Sequence, residues 1–162
     1  MKEAFSSDGY IIDQNYMGEY EYRTISSKHN GCGWMAVYNL RKFLGHDVNF
    51  DDVRREMDKM HTIRIPGPTT MKVLREYMKR YVPEARESIG KDAAFTAANA
   101  SRAGILRYNE SSVPHLIAFI RLEGDRFRFF NVEDGYEDCC YTMPDFFKER
   151  VLPGYTEAFT IE

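Results

Sequence analysis

The chain has 162 residues, enough for one domain with a real hydrophobic core, and its 43% hydrophobic against 29% charged residues exclude a disordered polymer. The formal net charge of -3 gives no support to nucleic-acid binding, which ordinarily shows a basic excess. No apolar run is long enough for a membrane span, and Met1-Lys2-Glu3-Ala4-Phe5-Ser6-Ser7-Asp8-Gly9 contains no apolar signal core.

Three cysteines, two of them adjacent at Cys139-Cys140, make no disulfide framework, so a reducing cytoplasm is expected. The expectation is a single domain over 1–162, without membrane insertion. Aromatic residues reach 14%, which reads as a strand-rich core rather than a base-stacking surface.

Residues 1–29 are polar and aromatic, with Tyr10, Ile11, Ile12, Tyr16, Tyr20 and Tyr22 spread through them. They read as extended segments and loops that lead into the next stretch. That stretch, Asn30 to Gly45, organises the chain. Trp34, Val37, Tyr38, Leu40, Phe43 and Leu44 predict a mostly buried helix, and Gly45 is a natural C-terminal stop.

Cys32 opens this helix between Gly31 and Gly33. Unpaired N–H groups and the helix dipole favour a thiolate there, and the same N–H groups suit a developing oxyanion. The flanking glycines keep the sulfur uncrowded. Cys32 therefore reads as a catalytic nucleophile or the descendant of one.

Asn49 caps a second helix from about Asp51, with Val53, Met57 and Met60 on one face. Ile63 to Pro68 is a loop by its proline and glycine content. Thr69 or Thr70 caps a third helix with Met71, Leu74, Met78 and Tyr81 buried, ended by Pro83. Its Lys72, Arg75, Lys79 and Arg80 read as a solvated face. The alanine-rich stretch from Asp92 to Ser101 reads as a short helix.

From Gly104 the pattern turns to strands, Gly104–Tyr108 and His115–Leu122 first. Glu123-Gly124-Asp125 turns the second into Arg126–Val132, an antiparallel hairpin in which residue numbers summing to about 247 pair. Glu133-Asp134-Gly135 turns the chain again. A strand is expected over Tyr136–Thr142, a short helix opened by Pro144, and a last strand over Tyr155–Ile161. Helices followed by an antiparallel sheet make an α+β domain.

A nucleophilic cysteine needs a base and a group to orient it. His29 lies in a loop, His46 beyond the wrong end of the central helix, and His61 at the end of the second helix. His115 opens a long apolar strand, at a sheet edge. Asn131 closes the partner strand, where its amide oxygen would accept the Nδ1–H of His115 and leave Nε2 for the sulfur. Asp134 is the substitute orienter. No His/Cys cluster has metal-ligand spacing and no Gly-rich phosphate loop is present, so no metal and no cofactor are expected.

Cys32-Gly33 opening a buried helix that ends in Leu44-Gly45, His115 opening a strand, and Asn131 closing the next together resemble the papain-like cysteine peptidases. The nearest branch is the double-glycine leader peptidases that process bacteriocins. The resemblance covers roughly residues 26–147. From Cys32 to His115 is 83 residues and from His115 to Asn131 is 16, in keeping with the family order.

The resemblance implies a papain-like fold, with an N-terminal helical half and its buried central helix packed on a C-terminal antiparallel sheet. It implies Cys32 as nucleophile, His115 as general acid/base and Asn131 as orienting residue. The family's oxyanion glutamine, about six residues before the cysteine, falls at Ser26 here. The only glutamine, Gln14, lies too far from Cys32 in the chain to be assigned that place. Trp34 replaces the usual proline, and Asn131 the leader peptidases' aspartate.

The implied function is peptide hydrolysis or related thiol acyl transfer on a peptide or protein substrate. The alternative is a catalytically impaired domain of the same fold that binds a peptide or protein partner.

Overall fold

The computed structural model describes residues 3–132 and 137–162. Its centre is a six-stranded antiparallel sheet in the order β3 (Arg86–Ile89), β8 (Leu152–Ile161), β4 (Ala103–Glu110), β5 (Val113–Arg121), β6 (Arg126–Phe129), β7 (Cys140–Thr142). A small hairpin of β1 (Glu21–Tyr22) and β2 (Ile25–Ser26) precedes a one-turn helix α1 (Ser27–Asn30). The longer helices are α2 (Cys32–Phe43), α3 (Phe50–Met60), α4 (Met71–Tyr81), α5 (Lys91–Ala100) and α6 (Met143–Arg150). The chain is therefore α+β.

Alternation along the strands assigns the helices to layers. Ile105, Leu116, Ala118, Ile120, Phe159 and Ile161 form one core with α2, α3 and α4. Leu106, Tyr108, Ile117, Phe119 and Ala158 form a second core with Ala94 and Ala98 of α5 and Phe146 and Phe147 of α6. The sheet is thus covered on both faces. Helices first and sheet second was too simple an order, because α5 and α6 return to cover the far side. β3 was not anticipated from the sequence: Arg86-Glu87-Ser88-Ile89 is a largely exposed edge strand with no apolar signal.

The helix ends follow their capping chemistry. Asn49 Oδ1 accepts from the N–H groups of Asp51 and Asp52, at 2.8 and 3.2 Å. Thr70 Oγ1 accepts from Val73 N–H, and Thr142 caps α6 in the same way. Beyond α2, Gly45 takes φ +80°, and its N–H donates to Lys42 O.

On α4 the buried stripe is Val73, Leu74, Tyr77 and Met78, while Met71 and Tyr81 are half-buried. The basic face is also not simply solvated. Arg75 donates to Glu87 on β3 and to both carboxylate oxygens of Glu157 on β8, at 2.7, 3.0 and 3.0 Å. Glu157 is fully buried, and burial holds its carboxyl above the ordinary range.

The N-terminal segment is clamped to the centre of α2. Asn39, buried mid-helix, accepts from Ile11 N–H at 2.8 Å and donates to Ile11 O at 2.9 Å. Arg128 on β6 grips Asp8 through two nitrogens, at 2.7 and 3.1 Å. Asn39→Ala strands the two Ile11 backbone groups and should lower unfolding free energy by about 1–3 kcal/mol in urea denaturation.

Candidate active site

The site exists because two neighbouring strands part. The β5–β6 ladder runs only from Arg121↔Phe127 to Phe119↔Phe129. The next residue, Phe130, still donates to Ala118 O at 3.0 Å. Asn131 then adopts φ +59°, a left-handed turn that asparagine tolerates better than most residues. N–H and C=O groups of even-numbered β5 residues point toward β6, so past this divergence the Leu116 N–H faces an open edge. The N-terminus of α2 packs against that edge, where the Leu116 N–H lies close enough to the Cys32 sulfur to help lower its pKa.

The observed pairs sum to 248, one residue off the register expected from the turn. The ring of His115 is also turned the other way round from the expectation. His115 Nε2–H donates to the backbone carbonyl of Asn131 at 2.8 Å, and not to its side-chain amide. Nδ1 is thereby left for Cys32, whose sulfur lies near enough to the ring to raise its pKa. The ring also stacks edge-on against Tyr108, its cross-strand neighbour, with centroids 5.9 Å apart.

The electrostatics favour a thiolate–imidazolium pair. Burial pushes the Cys32 thiol up, but the proximity and charge of His115, with the N–H groups of Leu116 and Gly33, bring it below its ordinary value. Burial pushes His115 down. The proximity and charge of Cys32, the Asn131 carbonyl and nearby Glu110 carry it well above an ordinary imidazole. Glu110 Oε2 lies 3.9 Å from Nε2.

The side chain of Asn131 does something the sequence did not suggest. Its Oδ1 accepts from Gln14 N–H and its Nδ2 donates to Gln14 Oε1, both at 2.9 Å. Gln14 Nε2 in turn donates to Lys28 O at 2.9 Å. Lys28 O is the carbonyl that a continuous helix would offer to the Cys32 N–H, four residues on. Gln14 thus engages it while the Cys32 N–H, at the first position of α2, has no intrahelical acceptor.

Ser26, the expected oxyanion residue, is committed elsewhere. Its hydroxyl donates to Gly18 O at 2.8 Å and caps Lys28 N–H. Gln14 is bonded to Lys28 O in the turn before Cys32, carried there by a 3-10 turn over Gln14–Tyr16. The only signal for it in the sequence was its being the sole glutamine.

The walls are equally specific. A Cβ on Gly33 would stand 2.1 Å from Thr69 Oγ1, so glycine is required by Thr69 rather than by the sulfur. Thr69 Oγ1 shares a 2.7 Å hydrogen bond with Tyr22 OH. Trp34 is fully buried and donates from Nε1 to Ser27 Oγ at 3.1 Å, fixing the elbow between α1 and α2. Asn30 ties β1 to the following loop by donating to Tyr22 O and Gly67 O, at 2.8 and 2.9 Å. Beside the sulfur a cleft of about 80 Å³ is lined by Cys32, Pro68, Thr69, Met71, Arg107, Pro114 and Leu116.

The other histidines lie outside this arrangement. His61 is buried, bonded to Met57 O, and accepts from Thr70 N–H, a role that needs a neutral ring. Burial holds its pKa down, in line with that role. His46 Nδ1 accepts from Arg41. His29 is exposed on α1. Asp134, with its turn, and Tyr136 lie outside the described residues.

Cys139 and Cys140 are free, half-buried thiols on the β6–β7 side. Among the described residues no three His, Cys, Asp or Glu side chains gather as a metal site, and no helix is long and apolar enough to cross a membrane. No protein-family model matches the chain, and no curated protein matches it.

The opposed shifts set a pH window. The Cys32 thiolate forms below the ordinary thiol value, and His115 stays protonated up to about 9, so both charges coexist above the lowered thiol value and below the raised imidazole value. Cys139, whose thiol burial pushes up, lacks this help. Iodoacetamide should alkylate Cys32 about tenfold or more faster than Cys139 near pH 7, and His115→Ala should move the Cys32 profile to higher pH. Peptide mass spectrometry of samples alkylated from about pH 5 to pH 10 reads both.

Proposed function

We propose that the chain is a thiol acyl-transfer enzyme of the papain-like kind, acting as a cysteine peptidase on peptide or protein substrates in the cytoplasm. The observation that carries the reading is the juxtaposition of Cys32, at a helix N-terminus beside a small cleft, with the His115 ring, whose Nε2 is held by the Asn131 carbonyl.

The chemistry follows from the placement. The Cys32 thiolate attacks the substrate carbonyl carbon, and the C=O electron pair moves onto oxygen. Backbone N–H groups at the start of α2 stabilise that oxyanion, together with the Gln14 amide if it swings from Lys28 O. His115 Nδ1–H then gives its proton to the leaving amine as the C–N bond breaks, which leaves an acyl-enzyme. His115 next takes a proton from water, whose oxygen attacks the thioester, and the thiolate returns. The Asn131 carbonyl holds the ring through Nε2–H in both its charged and its neutral form.

The direct test is acylation. A reactive peptide thioester should leave its acyl group on Cys32, detectable by intact mass, and Cys32→Ala should abolish the adduct. A folded wild-type protein that binds peptide without acylation would overturn the enzyme reading and favour the partner-binding alternative. Gln14→Ala should slow turnover by about 10²–10³-fold if its amide serves the oxyanion, and Ser26→Ala should leave the rate near wild type.

A further inference from the structure

A single cation stands in the wall of the Cys32 cleft. Arg107 on β4 lies directly across from Leu116 of β5, the residue whose N–H lies close to the sulfur. The other lining residues are Pro68, Thr69, Met71, Pro114 and Leu116, with Cys32 itself. None is a carboxylate. Low-polarity walls strengthen the field of a charge placed among them.

Arg107 is held but not neutralised. It donates from Nη1 to Tyr155 O at 2.6 Å and stacks on the Tyr155 ring at 4.7 Å. Among the described residues no carboxylate lies within ion-pair distance of it. The obvious candidate is Glu157, its cross-strand partner on β8. Both oxygens of Glu157 are already taken by Arg75, and the Tyr155 hydroxyl donates to it as well. The guanidinium is thus pre-positioned by its tyrosine, with donors left over for an anion from solution.

We propose that Arg107 is the specificity-determining residue of this cleft, selecting substrates that carry a carboxylate close to the carbonyl attacked by Cys32. The proposal rests on the acyl-transfer reading for its substrate, but the anion site itself does not. A cleft of about 80 Å³ takes a carboxymethyl-sized group, so the match is the short acid of an aspartate or glutamate side chain, or a free C-terminal carboxylate.

Two alkylating reagents of nearly equal size separate charge from reactivity. Each is attacked by the Cys32 sulfur with loss of iodide. Iodoacetate carries a carboxylate and iodoacetamide a neutral amide. The quantity read is the ratio of their rates at Cys32 in folded wild type, Arg107→Gln and Arg107→Lys. The ratio should fall about tenfold or more in Arg107→Gln and less in Arg107→Lys. Melting curves confirm that the variants fold. An unchanged ratio in folded Arg107→Gln overturns the proposal.

If Cys32 proves no more reactive than Cys139 toward iodoacetamide, yet the ratio still falls, the anion site stands and the enzyme reading fails. Protection of Cys32 then identifies the source. Peptide amides containing aspartate or glutamate, neutral peptides ending in a free carboxylate, and neutral peptide amides are compared as competitors. Better protection by either acidic set supports the proposal and names the source, and equal protection by all three overturns it.

Discussion

The divergence of β6 from β5 beyond Phe129 is the constraint on which the site depends. A continued ladder would have used the Leu116 N–H for sheet pairing and sealed the edge against α2. The break instead leaves a backbone donor without a strand partner, and the N-terminus of α2 brings the sulfur of Cys32 toward it. The left-handed turn at Asn131 that carries the chain away also aims a peptide carbonyl at His115. One local event in the sheet therefore positions the sulfur, the ring and the ring's partner together.

Burying two opposite charges is costly unless each is also hydrogen bonded. Here the nearby N–H groups of Leu116 and Gly33 favour the charged sulfur, and the ring gives its second N–H to Asn131. The pair is consequently supported by main chain on both sides. Glu110 adds a carboxylate 3.9 Å from the ring, further favouring the imidazolium.

Much of the architecture was legible because helices and turns carry local signals. The apolar run after Cys32, the Asn49 cap and the Gly124 turn each have a short-range cause that sequence displays. The charged edge strand β3 had no such cause, since its identity comes from pairing with β8. The residues Cys32, His115 and Asn131 could be nominated from order and spacing. The bonds among them could not, because the left-handed turn at Asn131 presents its backbone carbonyl to His115 and leaves its side-chain amide to Gln14. Gln14 was illegible for a related reason: its place depends on a contact with Asn131 that spans 117 residues of chain. The ion pairs of Arg75, which is still partly exposed, were not legible because its partners Glu87 and Glu157 come from strands distant in sequence.

That Gln14–Asn131 contact has a bearing on when the thiol becomes dangerous to its surroundings. Neither the ring nor the bracing amide is supplied by segments neighbouring Cys32 in the chain. A polypeptide still emerging from synthesis, or one partly unravelled, carries this cysteine as a common thiol without special appetite for electrophiles. On the proposed reading, the nucleophilic character of Cys32 would therefore depend on contacts that span the chain and not on the segment around the cysteine.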